Sequence, residues 1–114
     1  MTLRIARVAF ADEAVQKAFD ELASGPFEEK QLHEWISRAV SNLNQNPLCG
    51  VRVPSKLWPK QYAKYGVNNL FKLDLPKGWR LVYFLRGNDV EIISVILEWF
   101  SHENYEKRFG YKKK

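Results

Sequence analysis

Lys72, Asp74 and Arg80 are the residues whose types and spacing most readily build a charged site in this chain. Lys72 and Asp74 lie two apart in a strand-like run, so they share one face while Phe71, Leu73 and Leu75 take the other. Pro76, Lys77 and Gly78 then make a short glycine-containing connection to a second run, Trp79 to Arg86. If that loop places Leu75 opposite Trp79, Asp74 faces Arg80 and Lys72 faces Val82. Two readings stay open. The three charges could form a cross-strand ion pair worth roughly 0.2 to 1 kcal/mol. They could instead form a cationic floor on which Asp74 orients Arg80 toward a phosphate, a task that suits an arginine fork better than a lysine.

His102 is the second candidate, at the first turn of a predicted helix just after an apolar strand. A neutral imidazole there is equipped to act as general base, beside helix amides that attract anions; the plainer reading is a surface histidine on a capping turn. Tyr105 and either Lys107 or Arg108 follow within two turns, close enough to form one edge of a site. His33 falls on the polar side of a different helix, beside Glu34, and carries little chemistry. Other templates fail. There is no GxGxxG or Walker loop, no GxSxG elbow and no HExxH, and Ser101 next to His102 lacks a positioned carboxylate. The acidic pairs Asp12-Glu13, Asp20-Glu21 and Glu28-Glu29 read as solvated helix positions. One cysteine and two histidines support neither a disulfide nor a structural zinc site, and nothing calls for a cofactor.

The elements that must position these groups follow from patterning. With 114 residues, 46% hydrophobic and 27% charged, the chain reads as one globular domain, 1–114. It has no run of membrane-spanning length and no leader pattern, so a soluble cytoplasmic protein is expected. The net charge of +5 is uneven: residues 1–50 carry 5 Lys/Arg against 7 Asp/Glu, whereas residues 51–114 carry 13 against 6 and 12 of the 16 aromatics. Cations interleaved with aromatics suit phosphates and unpaired bases, although a basic surface over an aromatic core has the same composition.

Leu3 to Phe10 reads as a strand, and Asp12 as the N-cap of a helix striped by Val15, Ala18, Phe19 and Leu22. Gly25 offers a left-handed stop before Pro26 opens a second helix, whose stripe is Leu32, Trp35, Ile36, Ala39, Val40 and Leu43. Leu48 to Gly66 lacks periodicity and reads as an irregular or partly helical basic connector. Asn69 to Leu75, Trp79 to Arg86 and Val90 to Leu97 make a three-stranded antiparallel meander, and Ser101 caps a last helix, His102 to Phe109, stopped by Gly110. The class is α+β with a mostly antiparallel sheet.

This order of elements, the Gly78-Trp79-Arg80-Leu81-Val82-Tyr83 run, and the closing Trp99-Phe100-Ser101-His102-Glu103-Asn104-Tyr105-Glu106-Lys107-Arg108-Phe109-Gly110-Tyr111 segment resemble the RelE/ParE superfamily of toxin–antitoxin toxins. The resemblance covers nearly the whole chain, and the connector is longer than in short members. It implies a microbial RNase-like RelE fold and a ribosome-dependent mRNA endonuclease that cleaves without metal or cofactor, by 2′-hydroxyl attack. Arg80 would stabilise charge on the scissile phosphate, His102 would take the proton, Lys72 or Arg108 would assist, and Tyr105 would hold a base or the backbone. Lys60, Lys64, Lys77, Lys112, Lys113 and Lys114 would bind RNA phosphates. The implied partners are a cognate antitoxin, the ribosome and mRNA. The departures are a missing acid near Gly50, Pro54, Ser55 and Leu57, where some members carry a catalytic glutamate, and an acid, Asp74, where members tend to be basic. A non-catalytic or gyrase-targeting binding module of the same superfamily is the alternative.

Overall fold

Strand β5, Glu91–Phe100, organises the molecule because its side chains are apolar toward both faces, with Val95, Ile96 and Leu97 all buried. A strand apolar on both sides must be covered on both sides. The computed structural model, which describes residues 4–110, shows how. In chain order it contains β1 (Ile5–Phe10), α1 (Glu13–Leu22), α2 (Phe27–Gln45), β2 (Val51–Arg52), β3 (Phe71–Asp74), β4 (Arg80–Gly87), β5 and α3 (His102–Arg108). Short 3-10 turns at Ser55–Leu57 and Lys60–Tyr65 fill the connector between β2 and β3.

The fold is α+β around one five-stranded mixed sheet of order β1-β5-β4-β3-β2. β1 runs parallel to β5; the other neighbours are antiparallel. One core lies under α2, where Leu32, Ile36, Ala39 and Leu43 meet Leu81, Tyr83 and Ile96. The other lies under the connector and α3, where Val53, Tyr62, Tyr105 and Phe109 meet Val82, Phe84, Leu97 and Phe100. Among the described residues no helix is long and apolar enough to cross a membrane.

Most local expectations hold, and the exceptions have physical causes. Asp12 caps α1 by accepting from the Val15 amide at 3.0 Å, and Ser101 caps α3 through Asn104. Gly110 is left-handed as expected, with φ +73°, whereas Gly25 is not among the positive-φ glycines and α1 ends at Ala23 without a left-handed turn. The sheet has five strands, with the expected first strand at one edge beside β5 and an unexpected one, β2, at the other beside β3. The expected strand from Asn69 starts at Phe71, because the Asn69 side chain pairs with both backbone groups of Leu85 in place of a ladder residue. Two-residue β2 is too short to announce itself by alternation.

The connector, expected to be loosely structured, is tied down by tyrosine hydroxyls. Tyr62 donates to Glu98 at 2.8 Å and Tyr65 to Asp12 at 2.6 Å, while Tyr83 donates to the Pro47 carbonyl and accepts from the Gly50 amide. The Asp12 hydrogen bond pushes the Tyr65 hydroxyl up to about 12, and burial does the same for Tyr83. Burial, followed by the Glu98 charge, raises Tyr62 further. A folded-state value above the unfolded one, about 10, means stability that is complete below pH 10 and lost as pH rises through 12. Melting temperature should therefore be level from pH 8 to 10 and fall above it, with a smaller fall in Tyr65→Phe; pH-resolved thermal melts of both proteins measure this.

Candidate functional site

The hairpin register is the one the turn length dictates: Leu75 donates to the Trp79 carbonyl, Asp74 lies opposite Arg80 and Lys72 opposite Val82. Lys72, Asp74 and Arg80 therefore share the sheet face that α3 covers. Asp74 Oδ1 lies 3.2 Å from Lys72 Nζ and 3.0 Å from Arg80 Nε. The second contact is an ion pair without hydrogen-bond alignment, since the enclosed Arg80 Nε–H has no acceptor in line. Arg80 Nη1 donates to the Gly78 carbonyl at 2.8 Å. With 18% of its side chain exposed, Arg80 is held from behind and open at one edge, while Asp74 is mostly in water at 61%. A pair this wet contributes at most about 1 kcal/mol, so orientation is its main effect.

Beneath these cations is an aromatic wedge. Tyr105 stacks on Phe109 at 4.4 Å between ring centres and meets Phe100 edge-on at 6.3 Å. Lys72 Nζ and Arg80 Cζ sit 6.0 and 5.8 Å from the Tyr105 ring centre, and Arg108 Cζ sits 5.1 Å from that of Phe100. The negative faces of the rings lower the cost of crowding like charges. Tyr105, expected to hold a base or the backbone, is 3% exposed, with its ring packed in the core.

His102, the first residue of α3, lies beside the hairpin turn. Gly78 has φ +80°, and a Cβ built on it would lie 3.1 Å from His102 Cβ. Gly78 thus accepts from Arg80 through its carbonyl and leaves no room for a side chain beside the Cβ of His102. His102 is half exposed, and its Nε2 lies 3.3 Å from Glu106 Oε2 one helical turn on. If Nε2–H faces that carboxylate, Nδ1 is the proton acceptor. His33 instead stacks on Phe19 at 4.3 Å between α1 and α2, away from the polar surface expected for it.

Arg108 stands apart from this group. Its Nη1 lies 2.5 Å from Glu98 Oε1, which also accepts from Tyr62. Sequence patterning misses Glu98 because simple alternation puts it on the opposite face. A β-bulge at Leu97, opposite Val82, adds one residue and turns Glu98 and Phe100 toward α3. Glu106 was legible as the residue four beyond His102 on a predicted helix. Lys77 is exposed at the hairpin turn in a left-handed conformation, φ 58°, rare for a side-chain-bearing residue. Lys60 and Lys64 are exposed on the second 3-10 turn, with Lys64 Nζ over the Tyr65 ring. Lys112, Lys113 and Lys114 lie outside the described residues. Among those described, no group of three or more His, Cys, Asp or Glu could hold a metal ion.

Gly78→Ala is the sharpest test of this junction, because it forces an alanine into a left-handed backbone against His102. It should destabilise the fold by about 1 kcal/mol or more, read by urea denaturation. An unchanged midpoint would mean that the turn and α3 are not in contact.

No protein-family model matches the chain, and no curated protein or solved structure matches it either.

Proposed function

We propose that this chain is an endoribonuclease of the RelE kind, a ribosome-dependent mRNA interferase restrained by an antitoxin. The observation that carries the reading is the position of Gly78, bonded to the Arg80 guanidinium and close beside the Cβ of His102. A ribose-phosphate link laid across Gly78 would meet a cation and a base together. His102 Nδ1 takes the 2′-hydroxyl proton, and the oxygen attacks the adjacent phosphorus. The bond to the 5′-oxygen breaks as that oxygen takes a proton from solvent water, leaving a 2′,3′-cyclic phosphate and a 5′-hydroxyl. Arg80, assisted by Lys72, offsets the charge that grows on the phosphoryl oxygens, and Glu106 steadies the imidazole.

A second reading has its own support. Asp74 contacts both Lys72 and Arg80 and offsets part of their charge, and Tyr105 is withdrawn into the core. Those features suit a binding module that contacts an antitoxin or gyrase without cutting RNA.

The two separate in cells. For the nuclease, primer extension shows codon-phased cuts in translated mRNA, and Arg80→Ala and His102→Ala each lower cleavage about 100 to 1,000 fold while the purified proteins stay folded. Growth arrest with intact mRNA and damaged DNA supports the gyrase reading. Unchanged toxicity in both variants rejects the site.

A further inference from the structure

β1 ends the sheet on the side away from the Arg80 hairpin, because the order β1-β5-β4-β3-β2 gives it one neighbour only. Its ladder to β5 uses odd-numbered residues: the Ile5 amide donates to the Val90 carbonyl and the Ala11 amide to the Ile96 carbonyl. Successive residues of a strand turn their peptide groups to opposite sides, so Ala6, Val8 and Phe10 point N–H and C=O outward from the sheet. Natural sheets guard such an edge with lysine, proline, a bulge or a very short strand. β1 has none of these guards. It runs six residues, Ile5–Phe10, without proline or lysine, and its register with β5 is unbroken. Its one charge, Arg7, is held by Glu91 at 2.7 Å. Ile5 and Val90, at the start of the edge, are 54% and 63% exposed.

We propose that this edge pairs with β1 of a second copy of the chain, antiparallel about a two-fold axis at Val8. The strand is complementary to itself in that register. Val8 meets Val8 of the second copy, while Phe10, Arg7 and Ile5 each face an alanine, Ala6, Ala9 and Ala11 respectively. The Val8 pair and the Ala6-Phe10 pairs have the outward peptide groups, so these pairs exchange main-chain hydrogen bonds. A register centred on Arg7 would instead set two guanidinium side chains opposite each other in the closer, non-hydrogen-bonded position. Charge selects the same arrangement. Arg4 is exposed and forms no ion pair among the described residues, and the Val8-centred register carries it to the exposed Asp12-Glu13 end of the other copy. By symmetry this happens at both ends of the interface. An unrelated extended peptide could use the backbone edge but has no reason to match the two-fold pattern. The inference rests on β1 alone and is independent of what the Arg80 site does.

The test is sedimentation velocity of the purified full chain up to about 1 mM, with amide hydrogen exchange read by NMR on the same samples. The mass should double as concentration rises. The Ala6, Val8 and Phe10 amides should gain protection in step, whereas those of Arg7 and Ala9, already bonded to β5, should not change. Val8→Pro removes an outward N–H and leaves the ladder to β5 intact, so it should abolish the dimer in a chain that stays folded. Arg4→Glu, at an exposed position before the strand, reverses one charge at each end of the interface and should weaken the dimer about tenfold. A monomer at every concentration, a dimer that protects other amides, or a dimer whose affinity neither variant changes would overturn the proposal.

Discussion

Two cations must be kept side by side on one face of a sheet, and a single carboxylate and one aromatic ring do it. The carboxylate is too exposed for its contacts to be worth more than about 1 kcal/mol, so it acts by fixing where the two cations point. Asp74 bridges them from the solvent side and the Tyr105 ring receives both from below. Only a hairpin with Asp74 opposite Arg80 brings these groups together, and the Pro76-Lys77-Gly78 turn fixes that register. A shift by one residue would carry Lys72 and Asp74 together to the α2 face and leave Arg80 without its carboxylate.

The same turn sets where α3 begins. Gly78 is narrow enough for His102 to approach it, and Ser101 closes the first turn of the helix there. Tyr105 and Phe109 then anchor α3 on the sheet through Phe100, and Arg108 reaches back to Glu98. Helix, strand and connector meet at Glu98, where the Arg108 guanidinium and the Tyr62 hydroxyl share one carboxylate oxygen. The bulge at Leu97 makes this junction possible, so one inserted residue in β5 governs the wedge beneath Arg80.

What the sequence discloses and what it hides divide along physical lines. Local chemistry was legible: the caps at Asp12 and Ser101, the α2 stripe and the hairpin pairing each depend on residues close in the chain. Features set by distant contacts were not. The pairing of β2 depends on Phe71 and Lys72, some twenty residues later, and the facing of Glu98 depends on a bulge that alternation cannot register. Tyr105 shows the limit most clearly. Its spacing beside His102 fits a substrate contact and a core anchor equally well, and only the packing of Phe100 and Phe109 decides for the core.

The most direct measurement uses the two histidines as probes in one proton NMR titration of the folded protein with a ribonucleoside 3′-monophosphate. His33, packed on Phe19, serves as the internal control. A shared ribose-phosphate pocket predicts that the His102 ring resonance and the Arg80 side-chain resonance move together with one dissociation constant, that His33 stays still, and that Arg80→Ala abolishes the His102 response. Movement of His102 that survives the loss of Arg80, or no movement of either group, would contradict it.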